Sequence, residues 1–164
     1  MTENLLNILI AEDHRMTARL LRSALNKQGS MRVVDVLGNG RDVVEAAGNS
    51  ELDVDVILLD IELPLMNGFE VIKSLDKSSQ KKVLVLSAHT EKDFMQKSKA
   101  LGARGYISKS SGMQEIIEGI KAVAGGRQFF EMEMLTAMAG IKKKEKMKIN
   151  MKDFSHTFFY SLIF

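Results

Sequence analysis

Residues 55–70 read DVILLDIELPLMNGFE. Four apolar residues, Val56–Leu59, run without interruption into Asp60, and Pro64 and Gly68 then break the chain. A short run that is apolar at every position, not at alternate ones, is the pattern of a strand covered on both faces. Such a strand belongs inside a parallel sheet, and the pattern recurs on either side. Residues 8–11 (Ile-Leu-Ile-Ala) and 83–86 (Val-Leu-Val-Leu) are uniformly apolar, and residues 32–37 carry Val33, Val34, Val36 and Leu37. Gly105–Ser108 makes a short fifth run. Between the runs the apolar period changes to that of a helix. Met16, Leu20, Leu21 and Leu25 mark one over residues 15–27. Val43, Val44 and Ala47 mark another between Gly40 and Gly48, and Phe69, Ile72 and Leu75 a third after Gly68. A more polar helix is expected over residues 91–101, and Ile116, Ile117, Ile120 and Val123 set a last one over 113–124.

Five strand–helix units in succession predict a doubly wound α/β domain, a five-stranded parallel sheet with helices on both faces. It is expected to span residues 1–126 and to end near Gly125-Gly126. In such folds ligands sit outside the carboxyl ends of the strands. The residues at those ends are polar: Glu12 and Asp13 after the first strand, Asp60 after the third, Ser87 after the fourth, Lys109 after the fifth. Three carboxylates gathered at one edge repel unless a cation joins them. A hard divalent ion such as Mg²⁺ suits oxygen ligands of this kind together with phosphate oxygens and water. A carboxylate beside a cation and an ammonium is placed to attack a phosphoryl group and form an acyl phosphate. The ion and the ammonium would neutralise the charge that develops on the phosphoryl oxygens.

In order and spacing, Glu12-Asp13, the segment around Asp60, VLVLSA around Ser87 and GARGYISK ending at Lys109 resemble the motifs of response-regulator receiver domains of two-component systems. The resemblance covers residues 7 to 126. It implies a flavodoxin-like sheet of strand order 2-1-3-4-5 and a phosphoacceptor at Asp60, served by a sensor histidine kinase or a small acyl phosphate. It implies Mg²⁺ bound by Asp13, Asp60, Glu12 and the backbone carbonyl of Glu62, with Lys109 paired to the phosphoryl group. Ser87 and Tyr106 resemble the family's switch pair, the hydroxyl moving to the phosphoryl oxygen and the ring turning inward. Pro64 and Gly68 match the loop after the acceptor. A homodimer through the face formed by residues 91–124 is implied as well. Residues 112–136 are similar to receivers that precede a LuxR-type helix-turn-helix output domain, so the parent protein is expected to regulate transcription.

Composition removes other classes. The 164 residues contain no cysteine, which excludes disulfides, thiolate metal sites and cysteine nucleophiles. His14, His89 and His156 are too scattered to suggest a zinc cluster; His14 reads as a residue of a helix's first turn, His89 as a loop residue. Gly38-Asn39-Gly40 does not continue into a dinucleotide-binding fingerprint, and no Walker-type phosphate loop occurs. The Asp-x-Asp of haloacid-type phosphatases follows the first strand, whereas Asp60-Ile61-Glu62 follows the third, which disfavours an Asp/Mg²⁺ phosphatase. A receiver-shaped module that only binds other proteins stays open as the alternative. No positively charged start precedes the first apolar run and no apolar run reaches the ~20 residues of a membrane span, so a cytoplasmic protein is expected.

The formal net charge of +2 is concentrated at one end, where residues 127–164 hold 7 Lys+Arg against 4 Asp+Glu. Residues 127–164 are expected to be a linker and an atypical tail, with a lysine-rich stretch at 142–148 and an apolar ending from Phe154 to Phe164. No helix-turn-helix pattern is readable there, so DNA binding by this chain is not expected. Three readings stay open for the tail: an ending without an evolved role, an amphipathic segment docking on the domain or on a second copy, or lysine contact with an anionic membrane or nucleic acid.

Overall fold

The computed structural model describes residues 5–76 and 82–130. The elements alternate from the start: β1 (Leu6–Ala11), α1 (Arg15–Asn26), β2 (Met31–Leu37), α2 (Gly40–Gly48), β3 (Val56–Leu59) and α3 (Gly68–Ser74). There follow β4 (Lys82–Ser87), α4 (Lys92–Leu101), β5 (Gly105–Ser108), α5 (Met113–Ala124) and β6 (Phe129–Phe130). All strands are parallel, in the order β2-β1-β3-β4-β5-β6. The doubly wound fold of the sequence reading is present, and its five strands stand in the expected order.

The central strands are buried on both faces because the sheet divides two cores. Ile8, Ile10, Val56, Leu58 and Leu84 point to one side, where Leu21 and Leu25 of α1 and Ile116, Ile117 and Ile120 of α5 cover them. Leu9, Ile57, Leu59, Val83 and Val85 point to the other, under Val43 of α2, Val71 and Ile72 of α3 and Met95 of α4. Most of these side chains are fully buried. Each contributes roughly 1.5–3 kcal/mol of hydrophobic stabilisation, which is why the runs have no polar alternation.

Two details depart from the expectation. Met16 and Leu20 fit the helical period of α1, yet they are 70% and 62% exposed, while Ala18, Leu21 and Leu25 face the core. The second is a sixth strand. The sheet was expected to have five and to end before residue 127, but Phe129–Phe130 pairs with β5, Gly105 facing Phe129 and Tyr106 facing Phe130. Two adjacent phenylalanines have no period to read. Their placement comes from packing, since Phe129 enters the core under α5 and Phe130 the opposite one. Gly105 makes the approach possible, because a Cβ there would stand 2.6 Å from the Phe129 carbonyl oxygen. The described elements belong to a compact unit, Met1–Glu131. The lysine-rich and apolar segments expected to form a tail lie outside the described residues. Among the described residues, no helix is long and apolar enough to cross a membrane.

Candidate functional site

The parallel register brings the strand ends to one edge. Ala11 lies opposite Leu59, Leu59 opposite Val85, and Ser87 opposite Ser108. Backbone hydrogen bonds continue past the strands: Asp60 N–H to Ala11 O at 3.0 Å, Glu12 N–H to Leu37 O at 2.9 Å, and Lys109 N–H to Ser87 O at 2.8 Å. Glu12, Asp60 and Lys109, distant in sequence, therefore meet. Lys109 Nζ donates to Glu12 Oε2 and to Asp60 Oδ2, each at 2.6 Å. Both carboxylate side chains are 2% exposed and Lys109 is 22% exposed. Asp60 Oδ1 accepts the Glu62 N–H at 3.1 Å. Asp13 stands at the open side, its side chain 35% exposed.

One ammonium faces two buried carboxylates. Burial pushes Asp60 above the ordinary carboxyl value, and the Glu12 charge adds to this; the Lys109 and Glu62 hydrogen bonds only partly offset it. Burial by itself would lower Lys109, but its hydrogen bonds to Asp60 and Glu12 outweigh that and raise it. The ammonium therefore keeps its proton, and the pocket retains negative charge in excess. Ligand atoms of Glu12, Asp13, His14 and Asp60 all lie within 4.8 Å of one another. Clustered oxygen donors with surplus negative charge fit a hard divalent cation.

The loop after Asp60 is held by its own residues. Pro64 O accepts the Met66 N–H at 2.8 Å across Leu65, whose φ of 67° lies in the left-handed region. A tight three-residue turn with that φ is strained for a leucine. Asn67 then caps α3 through a reciprocal pair with Glu70, and Gly68 N–H donates to Ile61 O at 2.8 Å. A Cβ on Gly68 would stand 2.6 Å from the Asp60 carbonyl oxygen and 2.7 Å from Ile61 Cα. Both neighbours are backbone, so Gly68→Ala has to move the loop that carries Asp60. The expected loss is about 1–3 kcal/mol, read as a lower urea midpoint at unchanged slope.

On the β4 side, Ser87 is fully buried and Tyr106 is 4% exposed. The Tyr106 hydroxyl donates to the His89 carbonyl at 2.7 Å, and Ser87 Oγ accepts the His89 N–H at 3.1 Å. Burial raises Tyr106, opposed by its hydrogen bond with Ser87. His89, read from sequence as a loop residue, is one, and contacts of both its backbone and its ring converge on it. Besides the two backbone bonds, its Nε2 lies 3.1 Å from Glu62 Oε1, and its ring stacks on Phe94 of α4 at 4.1 Å. No spacing in the sequence signals this. Its position two residues after Ser87 is the only pointer. His14 is the N-cap residue of α1, not a first-turn residue, and its Nδ1 lies 3.1 Å from Glu12 Oε1 and 3.0 Å from Asp13 Oδ1.

Known proteins resemble the chain in sequence and in fold. The chain is 29% identical over 136 residues to the response regulator UvrY of Escherichia coli K12, covering 82% of this chain and 62% of that protein. It is 30% identical over 131 residues to the transcriptional regulatory protein DesR of Bacillus subtilis 168, covering 80% and 64%. The chain thus spans somewhat under two thirds of the length of these relatives. Among solved structures, it superposes on the signal receiver domain of NarL from Mycobacterium tuberculosis with a TM-score of 0.71 and 29% identity, covering 76% of this chain and 99% of that one. A LuxR-family DNA-binding response regulator from Staphylococcus aureus gives 0.68 and 26%, covering 73% and 99%. Residues 8–121 match the response regulator receiver domain as a family. With the acidic pocket and its lysine at the carboxyl edge of a β2-β1-β3-β4-β5 sheet, this chain belongs to the response regulator receiver domain family.

Proposed function

We propose that the chain is a phosphoacceptor switch in which Asp60 takes a phosphoryl group from a sensor histidine kinase or a small acyl phosphate. The observation that carries this reading is Lys109 Nζ at 2.6 Å from both the Asp60 and Glu12 carboxylates in a buried, net-negative pocket. A carboxylate oxygen of Asp60 attacks phosphorus. The bond from phosphorus to the donor's imidazole nitrogen, or to the acyl oxygen, breaks with its electron pair leaving on the donor, and an acyl phosphate forms on Asp60. Lys109 exchanges its Asp60 contact for a phosphoryl oxygen and opposes the new charge. Glu12, Asp13, Asp60 and the Glu62 backbone carbonyl are the residues that would hold Mg²⁺, which when bound neutralises phosphoryl oxygens. Burial of Asp60 excludes bulk water from the acceptor.

Ser87 and Tyr106 form the reporting side. The Ser87 hydroxyl turns toward the phosphoryl oxygen and gives up the His89 N–H, so the loop between β4 and α4 shifts. The Tyr106 ring, inward and bonded to the His89 carbonyl, follows that loop. Residues 91–124 then present an altered face to a second copy or another partner, a population shift that requires the phosphoryl group to favour one state. A cytoplasmic place of action and a transcriptional parent protein go with this reading, DNA binding being absent from the role assigned to this chain. The domain so defined takes in the described residues through β6. The chain acts as a substrate of its kinase and a timer of its own acyl phosphate, not as an enzyme on other molecules.

Incubation with acetyl phosphate tests this. With Mg²⁺ the intact mass is expected to rise by one phosphoryl unit, and a chelator in excess is expected to abolish the gain. A gain of equal size with the chelator would refute the metal-dependent reading.

A further inference from the structure

His14 occupies the N-cap of α1, a position that favours Ser, Thr, Asp or Asn, because their short side chains bond the first free N–H groups. Its side chain makes no such cap, and the first turn of α1 carries no acidic residue. Glu91 before α4 and Gly112 before α5 also lack a side-chain cap, so what sets His14 apart is where its side chain goes. The side chain folds back over the pocket instead. Its Nδ1 stands 3.0 Å from Asp13 Oδ1 and 3.1 Å from Glu12 Oε1, and the side chain is 69% exposed. Neighbouring ligands of an octahedral ion with bonds of about 2.1 Å stand about 3.0 Å apart. The separations of His14 Nδ1 from the two carboxylate oxygens match that spacing, and Asp60 lies within the same 4.8 Å cluster.

We propose that His14 is a nitrogen ligand of this pocket and shifts its preference from Mg²⁺ toward first-row transition ions. The proposal rests on the metal-dependent reading above and adds to it the class of ion. Mg²⁺ gains little from an imidazole, whereas Mn²⁺, Co²⁺ and their neighbours accept one readily beside carboxylates. The same chain then takes phosphoryl groups under either ion and holds the transition ion longer, so the switch would respond to which divalent metal is abundant.

Calorimetric titration of the full chain with CoCl₂ and with MgCl₂ separates the possibilities. Wild type is expected to bind Co²⁺ more tightly than Mg²⁺. His14→Ala is expected to weaken Co²⁺ by about tenfold, the scale on which groups around a metal act, and to leave Mg²⁺ within a factor of about two. His14→Ser, which installs a preferred N-cap, is expected to lose the Co²⁺ preference equally while keeping or raising stability. Wild type with Co²⁺ should also show a hyperfine-shifted exchangeable imidazole proton in ¹H NMR, missing from both variants. Asp13→Asn should weaken both ions. If the His14 variants weaken both ions alike or neither, His14 is no ligand and the proposal is overturned, while the Asp13→Asn result still supports the metal pocket. If Asp13→Asn leaves both ions unchanged, the pocket reading fails and takes the proposal with it.

Discussion

Lys109→Ala is expected to slow phosphoryl uptake from acetyl phosphate by about 10²–10³-fold, the loss seen when one fixed donor to a developing oxyanion is removed. The same change is expected to destabilise the fold. Glu12 and Asp60 are 2% exposed and each accepts a hydrogen bond from the one ammonium. Without it, two carboxylates share a desolvated pocket with no countercharge. Breaking a buried pair from one side costs about 3–5 kcal/mol. The lower end is expected, because Lys109 is 22% exposed and one carboxylate can take up a proton. Urea unfolding should therefore show a lower midpoint at neutral pH that recovers in part as the pH falls toward the carboxyl range. It should also recover in part with Mg²⁺, which restores the missing countercharge. The raised Lys109 value implies a matching pattern in wild type: the ammonium stabilises fully below its ordinary 10.5 and this is lost as the pH rises through the folded value. A Lys109→Ala rate within threefold of wild type would contradict the role given to the ammonium.

Asp60→Asn is expected to abolish phosphoryl uptake and, without metal, to make the protein more stable. The carboxylate is buried, and desolvation is the largest influence on it, exceeding the help from Lys109 and the Glu62 N–H. A neutral isostere removes the buried charge, keeps an acceptor for the Glu62 N–H, and leaves Lys109 paired with Glu12. A gain of about 1 kcal/mol, or roughly 3–6 °C in Tm, is the expected size. Its pH dependence has a definite sign. A carboxyl raised above its ordinary 3.8 binds its proton more tightly in the folded chain than in the unfolded one. Its contribution to wild-type stability is thus present below 3.8 and lost as the pH climbs through the raised value. The asparagine does not titrate, so the advantage of the variant should widen from about pH 4 to neutrality. Mg²⁺ should narrow it, because binding to the folded state stabilises wild type by an amount that grows with the logarithm of the ion concentration above Kd. A variant less stable than wild type at pH 7 would show that the Lys109 pair, not burial, dominates at Asp60.

The residues that could be read from sequence were those whose placement follows from strand continuity. Asp60, Ser87 and Lys109 each end or follow a run apolar on both faces, and such runs end at one edge of a parallel sheet whatever the loops do. Glu12 and Asp13 follow for the same reason. Placement decided by tertiary packing left less trace. The period of α1 cannot say which of Leu20 and Leu21 is buried, because they adjoin in sequence and only docking on β1 and β2 chooses Leu21. Phe129–Phe130 joins the sheet because both faces have room beside Gly105, a fact about neighbours remote in sequence. His89 becomes a junction through contacts with Glu62, Phe94 and Tyr106 from three different elements. His14 carries a fainter signal, since a histidine directly before an amphipathic helix is a poor cap.

The most direct test of the account is the intact mass of wild type and Asp60→Asn after parallel incubation with acetyl phosphate and Mg²⁺, followed by peptide mapping of any gain. The account predicts one added phosphoryl unit in wild type, carried on the peptide that contains Asp60, and none in the variant. A gain retained in Asp60→Asn, or mapped to another peptide, would contradict it.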